Sequence, residues 1–287
     1  MPLTKSQYKT LERKNNSEKK FSSNQESKIV FSTYFRQADQ LLRLVGSFSG
    51  SLNRALATEI LVQTEVLLPQ LNAEIYPDVF EGQLTLAGLS IAQQNELMSL
   101  ANLNFSLSSG FSDTVVRSIQ NIDDFGFKLS GAIWAEDGKD TVYKSVLSTL
   151  KTGGTVKDLE KLLEASLTST KPGGQFYNVR RVIDTEFQRA YFTTTVEGSR
   201  EFNKTSDDPL VYVRSLSPAH KIADICDSVQ GVYDLSGLVP EIPSHPNCMC
   251  IISRMFLSDT NFTLKDLTFT GNTYISEDYP KQSNRMI

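Results

Sequence analysis

Both histidines and all three cysteines of the chain, His220, Cys226, His245, Cys248 and Cys250, fall in one C-terminal window that closes with the stretch SHPNCMC (244–250). Neutral imidazole and thiolate are the donors zinc takes in closed tetrahedral sites. His245 and Cys248 leave two residues between them, a gap that lets consecutive ligands wrap one ion around a turn, and Pro246 stiffens that turn. Cys226 supplies a third donor, with Cys250 and His220 as the remaining candidates. The C-x-C spacing of Cys248 and Cys250 is also what strand alternation produces, with both thiols on one face. Three readings therefore stay open: a structural zinc, a metal-free cluster of packed thiols, and a catalytic thiol or metal. The last lacks a Gly-rich oxyanion turn and a third orienting group.

A second polar constellation is RRVIDTEFQRA (180–190). Arg180 and Asp184 are spaced i,i+4, Glu186 and Arg189 i,i+3, and Thr185 lies one turn from Arg181 and from Arg189. On a lone helix this reads as a salt-bridged solvent face contributing little to stability. Arg181, Thr185, Glu186 and Arg189 are its structural polar residues.

The elements that must position these groups are mostly helical. Apolar residues from Ile29 to about Leu71 recur at three- and four-residue spacings, with a break near Gly46–Gly50, and Pro69 and Pro77 punctuate the end of that run. SIAQQNELMSLAN reads as a helix capped by Ser90. TVYKSVLSTLKTGG closes a helix on Gly153 and Gly154. TVKDLEKLLEASL then starts with Thr155 and Asp158 placed as a capping box, burying Val156, Leu159, Leu163 and Leu167. From Phe176 a long helix carries Val179, Ile183, Phe187, Ala190, Tyr191 and Thr194 on one face. LVYVRSL (210–216) and CIISRMF (250–256) alternate as strands, and residues 257–287 suggest a hairpin or an extended tail. The fold class is α+β, mainly helical, with long helices followed by a small β-rich part that contains the Cys/His window.

With 39% hydrophobic and 22% charged residues, the chain can bury a sizeable core. Its net charge of -4 is uneven: residues 1–28 carry seven Lys/Arg against three Asp/Glu. Rich in Ser, Asn, Gln and Lys, that segment reads as a flexible basic arm able to contact DNA or a protein partner. The acidic remainder argues against a broad nucleic-acid groove. No run approaches a membrane span and no secretory signal is visible, so a cytoplasmic protein without membrane contact is expected. An odd number of cysteines argues against a disulfide framework. P-loop, dinucleotide and H-E-x-x-H patterns are absent, so no enzyme is expected.

Taken together, RVIDTEFQRA (181–190), LVYVRSLSPAH, DICDSVQGVY (224–233) and HPNCMC (245–250) resemble the phage Mu protein F-like minor head proteins, the phage head morphogenesis family. The likeness covers about residues 125–256, including a Trp followed by a helix, a Gly turn and a short capped helix. Two departures stand out: Met249 where the family usually has Arg, and no second cysteine close after Cys226. The organisation then reads as a flexible arm (1–28), an N-terminal helical region (29–120), a Mu F-like head morphogenesis domain (121–256) and a C-terminal extension (257–287).

The resemblance implies a minor capsid protein inside the phage head, assembled in the host cytoplasm. Its expected partners are the portal protein, the major capsid or scaffolding protein, and packaged or ejected DNA through the arm. The Cys/His end is then a folded knot with or without a structural zinc, and no other cofactor is expected. The competing reading is a metal-dependent hydrolase or toxin-like effector using His245, Cys248 and Glu186. A zinc-stabilised DNA-binding module is a third.

Overall fold

The computed structural model describes residues 3–120, 132–216, 225–237, 239–240, 248, 250–260, 264, 267–270 and 273–276. The protein is mainly helical α+β, with a small three-stranded antiparallel sheet toward the C-terminus. Its elements are α1 (Lys5–Gly46), α2 (Arg54–Leu100), α3 (Ser109–Gln120), a π-helix (Ala132–Gly138), α4 (Lys139–Lys151), α5 (Val156–Thr168) and α6 (Gln175–Asn203). After these come β1 (Leu210–Ser215), the single turn α7 (Ile225–Ser228), β2 (Gly231–Asp234), β3 (Ile251–Phe256) and a hairpin of β4 (Leu267–Thr270) with β5 (Thr273–Ser276). Among the described residues no helix is long and apolar enough to cross a membrane.

The chain divides into two compact units, and α1, α2 and α6 give residues to both. The helical unit comprises residues 24–82 and 122–186. Its α1 stripe, Val30, Tyr34, Ala38, Leu41 and Val45, repeats at three or four residues and is buried throughout. Trp134 of the π-helix is fully buried, stacked 5.0 Å from Tyr34, with its indole N–H donating to Gln37 Oε1 at 2.7 Å. Gln37 in turn donates to the Leu71 carbonyl and the Tyr34 hydroxyl to the Leu167 carbonyl.

The turn between α4 and α5 is dictated by its residues. Gly153 takes φ +65°, the left-handed conformation that closes a helix, and Gly154 leaves no room for a Cβ against Thr149. The capping box forms: Thr155 Oγ1 accepts from the Asp158 N–H while the Asp158 carboxylate accepts from the Thr155 N–H. The four residues expected to face inward on α5 do so.

The sheet unit comprises residues 1–23, 83–121 and 187–287. Its strands run in the order β2-β1-β3, with Tyr212 opposite both Tyr233 and Arg254, and Arg214 opposite Gly231 and Ile252. Leu210, Tyr212, Arg214, Ile252, Arg254 and Phe256 thus share one buried face. Phe192 of α6 meets Tyr212 edge to face at 5.6 Å, and Phe202 meets Phe256 at 6.0 Å. Gly198 lets α6 approach α2: a Cβ there would lie 2.6 Å from Gln94 Oε1, and Gln94 donates to the Gly198 carbonyl at 2.7 Å.

Three local expectations change. Residues 5–28 are not a flexible arm but the start of α1. Thr4 and Gln7 cap that helix reciprocally. Of its few apolar residues, Tyr8 and Leu11 join Leu3 in the core while Phe21 stays exposed, and the Tyr8 hydroxyl donates to Asp259 at 2.7 Å while accepting from the Phe256 N–H. Tertiary burial here repays an ordering cost that composition alone leaves unmet. Ser90 is no N-cap: it lies inside α2, where its hydroxyl meets Thr195 Oγ1 at 2.8 Å. Pro69 and Pro77 likewise sit within α2 without ending it.

Candidate metal centre

Cys226 is the second residue of α7, and Cys248 and Cys250 immediately precede β3, so a turn after β1 and the lead-in to its neighbouring strand bring the three together. All three are buried thiols outside any disulfide, with their sulfurs within 4.8 Å of one another and Cys226 and Cys248 3.6 Å apart. Three thiolates around one zinc at its usual bond length lie about 3.8 Å apart, so the cluster has the dimensions of a trithiolate site. His220 and His245, the other proposed ligands, lie outside the described residues.

Arg214 sits at the same point. Its Nη2 is 3.2 Å from Cys226 Sγ, 3.6 Å from Cys250 Sγ and 4.0 Å from Cys248 Sγ. The neighbouring Tyr212 hydroxyl is buried with no hydrogen-bond partner among the described residues. A buried phenol in that position is a polar group with room for one more partner.

Two of the three thiols are held toward the protonated form. Cys226 is pushed far up by hydrogen bonding with Cys248 and Cys250 and by burial, which together outweigh the pull of Arg214. For Cys250 the bond to Cys226 favours the thiolate, but Cys248 and burial more than offset it. A nucleophilic cysteine needs the opposite, an accessible sulfur with a lowered pKa. A soft divalent cation would instead take all three sulfurs by displacing their protons. Arg214 would then face one ion and three thiolates of net negative charge, an arrangement in which an adjacent guanidinium is favourable.

The residues of the polar helix divide between the units. Arg181, Thr185 and Glu186 belong to the helical unit and Arg189 to the sheet unit, which also holds the thiols. Thr185 is satisfied within α6 by the Arg181 carbonyl at 2.6 Å, and the Arg181 guanidinium lies 5.6 Å from the centre of the Tyr177 ring. Glu186 is only 4% exposed, which corrects the expectation of a wholly solvated face. Arg180 and Asp184 are the solvent-side pair, at 3.8 Å.

Sequence reasoning missed three buried cations of the sheet unit: Lys19, Arg214 and Arg254. Arg254 donates to the Ser90 carbonyl and hydroxyl and to Ser199, and burial lowers its pKa to about 10. Burial likewise lowers Lys19 to about 8, against the opposing pull of Cys248 and Cys250. For the two arginines a signal existed, since each occupies the inward parity of its strand, in L-x-Y-x-R (210–214) and I-x-R-x-F (252–256). Lys19 had none. Comparison with protein-family models, curated proteins and solved structures finds no match to the chain.

Proposed function

We propose that this chain is a phage minor head protein that associates with the portal and procapsid during head assembly, with its sheet closed by a structural zinc on Cys226, Cys248 and Cys250. The observation that carries the reading is the convergence of those cysteines. Two motif pieces 22 positions apart in sequence meet in one buried cluster beneath the sheet that follows the long RVIDTEFQRA helix. Such a centre ties the turn after β1 to the lead-in of β3, a structural role in keeping with an interaction protein.

In this reading the protein resides inside the virion, and in the host cytoplasm during assembly. The surfaces offered to portal, major capsid or scaffolding protein belong to the folded units. DNA contact falls to the solvent-exposed Lys5, Lys9, Arg13 and Lys20 of α1. Co-expression with the portal protein of the same phage, followed by sedimentation, tests the assignment. The chain is expected to travel with portal-containing particles, and a chain that stays at the top of the gradient with and without procapsids sinks it. Metal analysis tests the zinc: one ion per chain in the wild type, and none in Cys248→Ser.

A further inference from the structure

Arg254 is a guanidinium buried in the sheet unit with no carboxylate beside it. It is 9% exposed; its Nε donates to the Ser199 hydroxyl at 3.2 Å, and its Nη2 to the Ser90 carbonyl at 3.1 Å and the Ser90 hydroxyl at 2.7 Å. All of these acceptors are neutral. The two N–H donors of Nη1 have no partner among the described residues, and no acid there lies within ion-pair distance of the side chain. Neutral acceptors recover only part of what burying a cation costs.

Arg254 lines a cleft whose walls come from α1, α2, α6 and β3 and belong wholly to the sheet unit. The cleft has about 380 Å³ of free space with its open mouth included, and its enclosed part is small, sized for a few heavy atoms. Asn15 lines it as well, and the Asn15 Oδ1 is buried with no hydrogen-bond partner among the described residues. Tyr191 and Gln93, also in the wall, satisfy each other, the Tyr191 hydroxyl donating to Gln93 Oε1. The one acid among the described lining residues is the half-buried Glu12. Beyond the wall the charges offset: Lys19 lies 5.2 Å from the centre of the Tyr191 ring, and Glu18 accepts from Gln93 at 3.1 Å.

Free N–H donors on a buried cation call for an anion, and a buried acceptor without a partner calls for a donor. We propose that the cleft binds a small oxyanion that carries a hydroxyl, of the size and chemistry of bicarbonate, with its charged oxygens on Arg254 and its hydroxyl donating to Asn15 Oδ1. Bicarbonate has about four heavy atoms, in keeping with the small enclosed part, and offers both kinds of group at once. None of the three cysteines lines the cleft, so the site stands apart from the thiol centre and does not rest on the zinc reading.

Amide chemical shifts of residues 15 and 252–254 in the full-length protein, titrated at constant pH and ionic strength with bicarbonate, acetate or chloride, test this. Bicarbonate is expected to move them with a midpoint in the millimolar range. Acetate, with a methyl group in place of the hydroxyl, and chloride are expected to bind several-fold more weakly. Arg254→Met should weaken bicarbonate about tenfold. Glu12→Gln removes the negative charge of the wall and should tighten bicarbonate several-fold. A gain of that kind cannot come from a damaged fold, so it decides the matter even where Arg254→Met proves unstable. The proposal is overturned if bicarbonate leaves these amides unmoved, if acetate or chloride matches it, if Arg254→Met binds it unchanged, or if Glu12→Gln binds it no more tightly.

Discussion

The two units differ in the polar groups at their centres. In the helical unit, which also buries Glu186, those around Trp134 are neutral: Trp134 donates to Gln37, Gln37 to the Leu71 carbonyl and Tyr34 to the Leu167 carbonyl, inside a cluster of stacked rings. The sheet unit buries charge and sulfur: Arg254 among hydroxyls, Arg214 among thiols, and Lys19 against an amide and a ring. Neutral networks cost little to desolvate and add cohesion. Buried cations are costly to desolvate and are poor evidence of stabilisation.

Substitutions can break or sharpen this contrast. The largest effect is expected for Trp134→Ala, a loss of about 4 kcal/mol by chemical denaturation, since it empties the site of a fully buried ring and orphans Gln37. A small loss there would mean that the neutral interior is not what holds the helical unit. Next is Ser90→Ala, about 2 kcal/mol, because it leaves the Arg254 cation short of an acceptor at 2.7 Å. Arg254→Met should then cost no more than about 1 kcal/mol, since removing the charge altogether also removes its desolvation penalty. If Arg254→Met proves worse than Ser90→Ala, the buried cation is a stabiliser and the contrast fails.

Surface features should not distinguish the units. Thr155→Ala, which opens the capping box in the helical unit, is expected to cost about 1 kcal/mol. Lys14→Ala, which removes the exposed pair with Glu96 in the sheet unit, should leave the unfolding midpoint unchanged within error.

Much of the scaffold could be read from the chain because its signals are local. The break after Gly46, the capping box at Thr155, the α5 stripe and both alternating strands depend on neighbours three or four residues away, or two along a strand. So does the clustering of thiols toward the C-terminus. What misled was composition: a basic, Ser- and Asn-rich opening looked unfit to fold, yet Tyr8 found partners in residues more than 200 positions later. Pro69 and Pro77 looked like punctuation, but α2 runs through both.

The sequence by itself determined the mainly helical α+β class, the order of most elements and the set of sulfur donors, because periodicity, capping and residue type act over short distances. Only the tertiary structure decided that Arg214 stands among the three thiols, that Glu186 is buried, and that Lys19 of the first helix is buried against Gln188 and Tyr191. Burial and counter-charge are properties of partners far apart along the chain, and no local pattern encodes them.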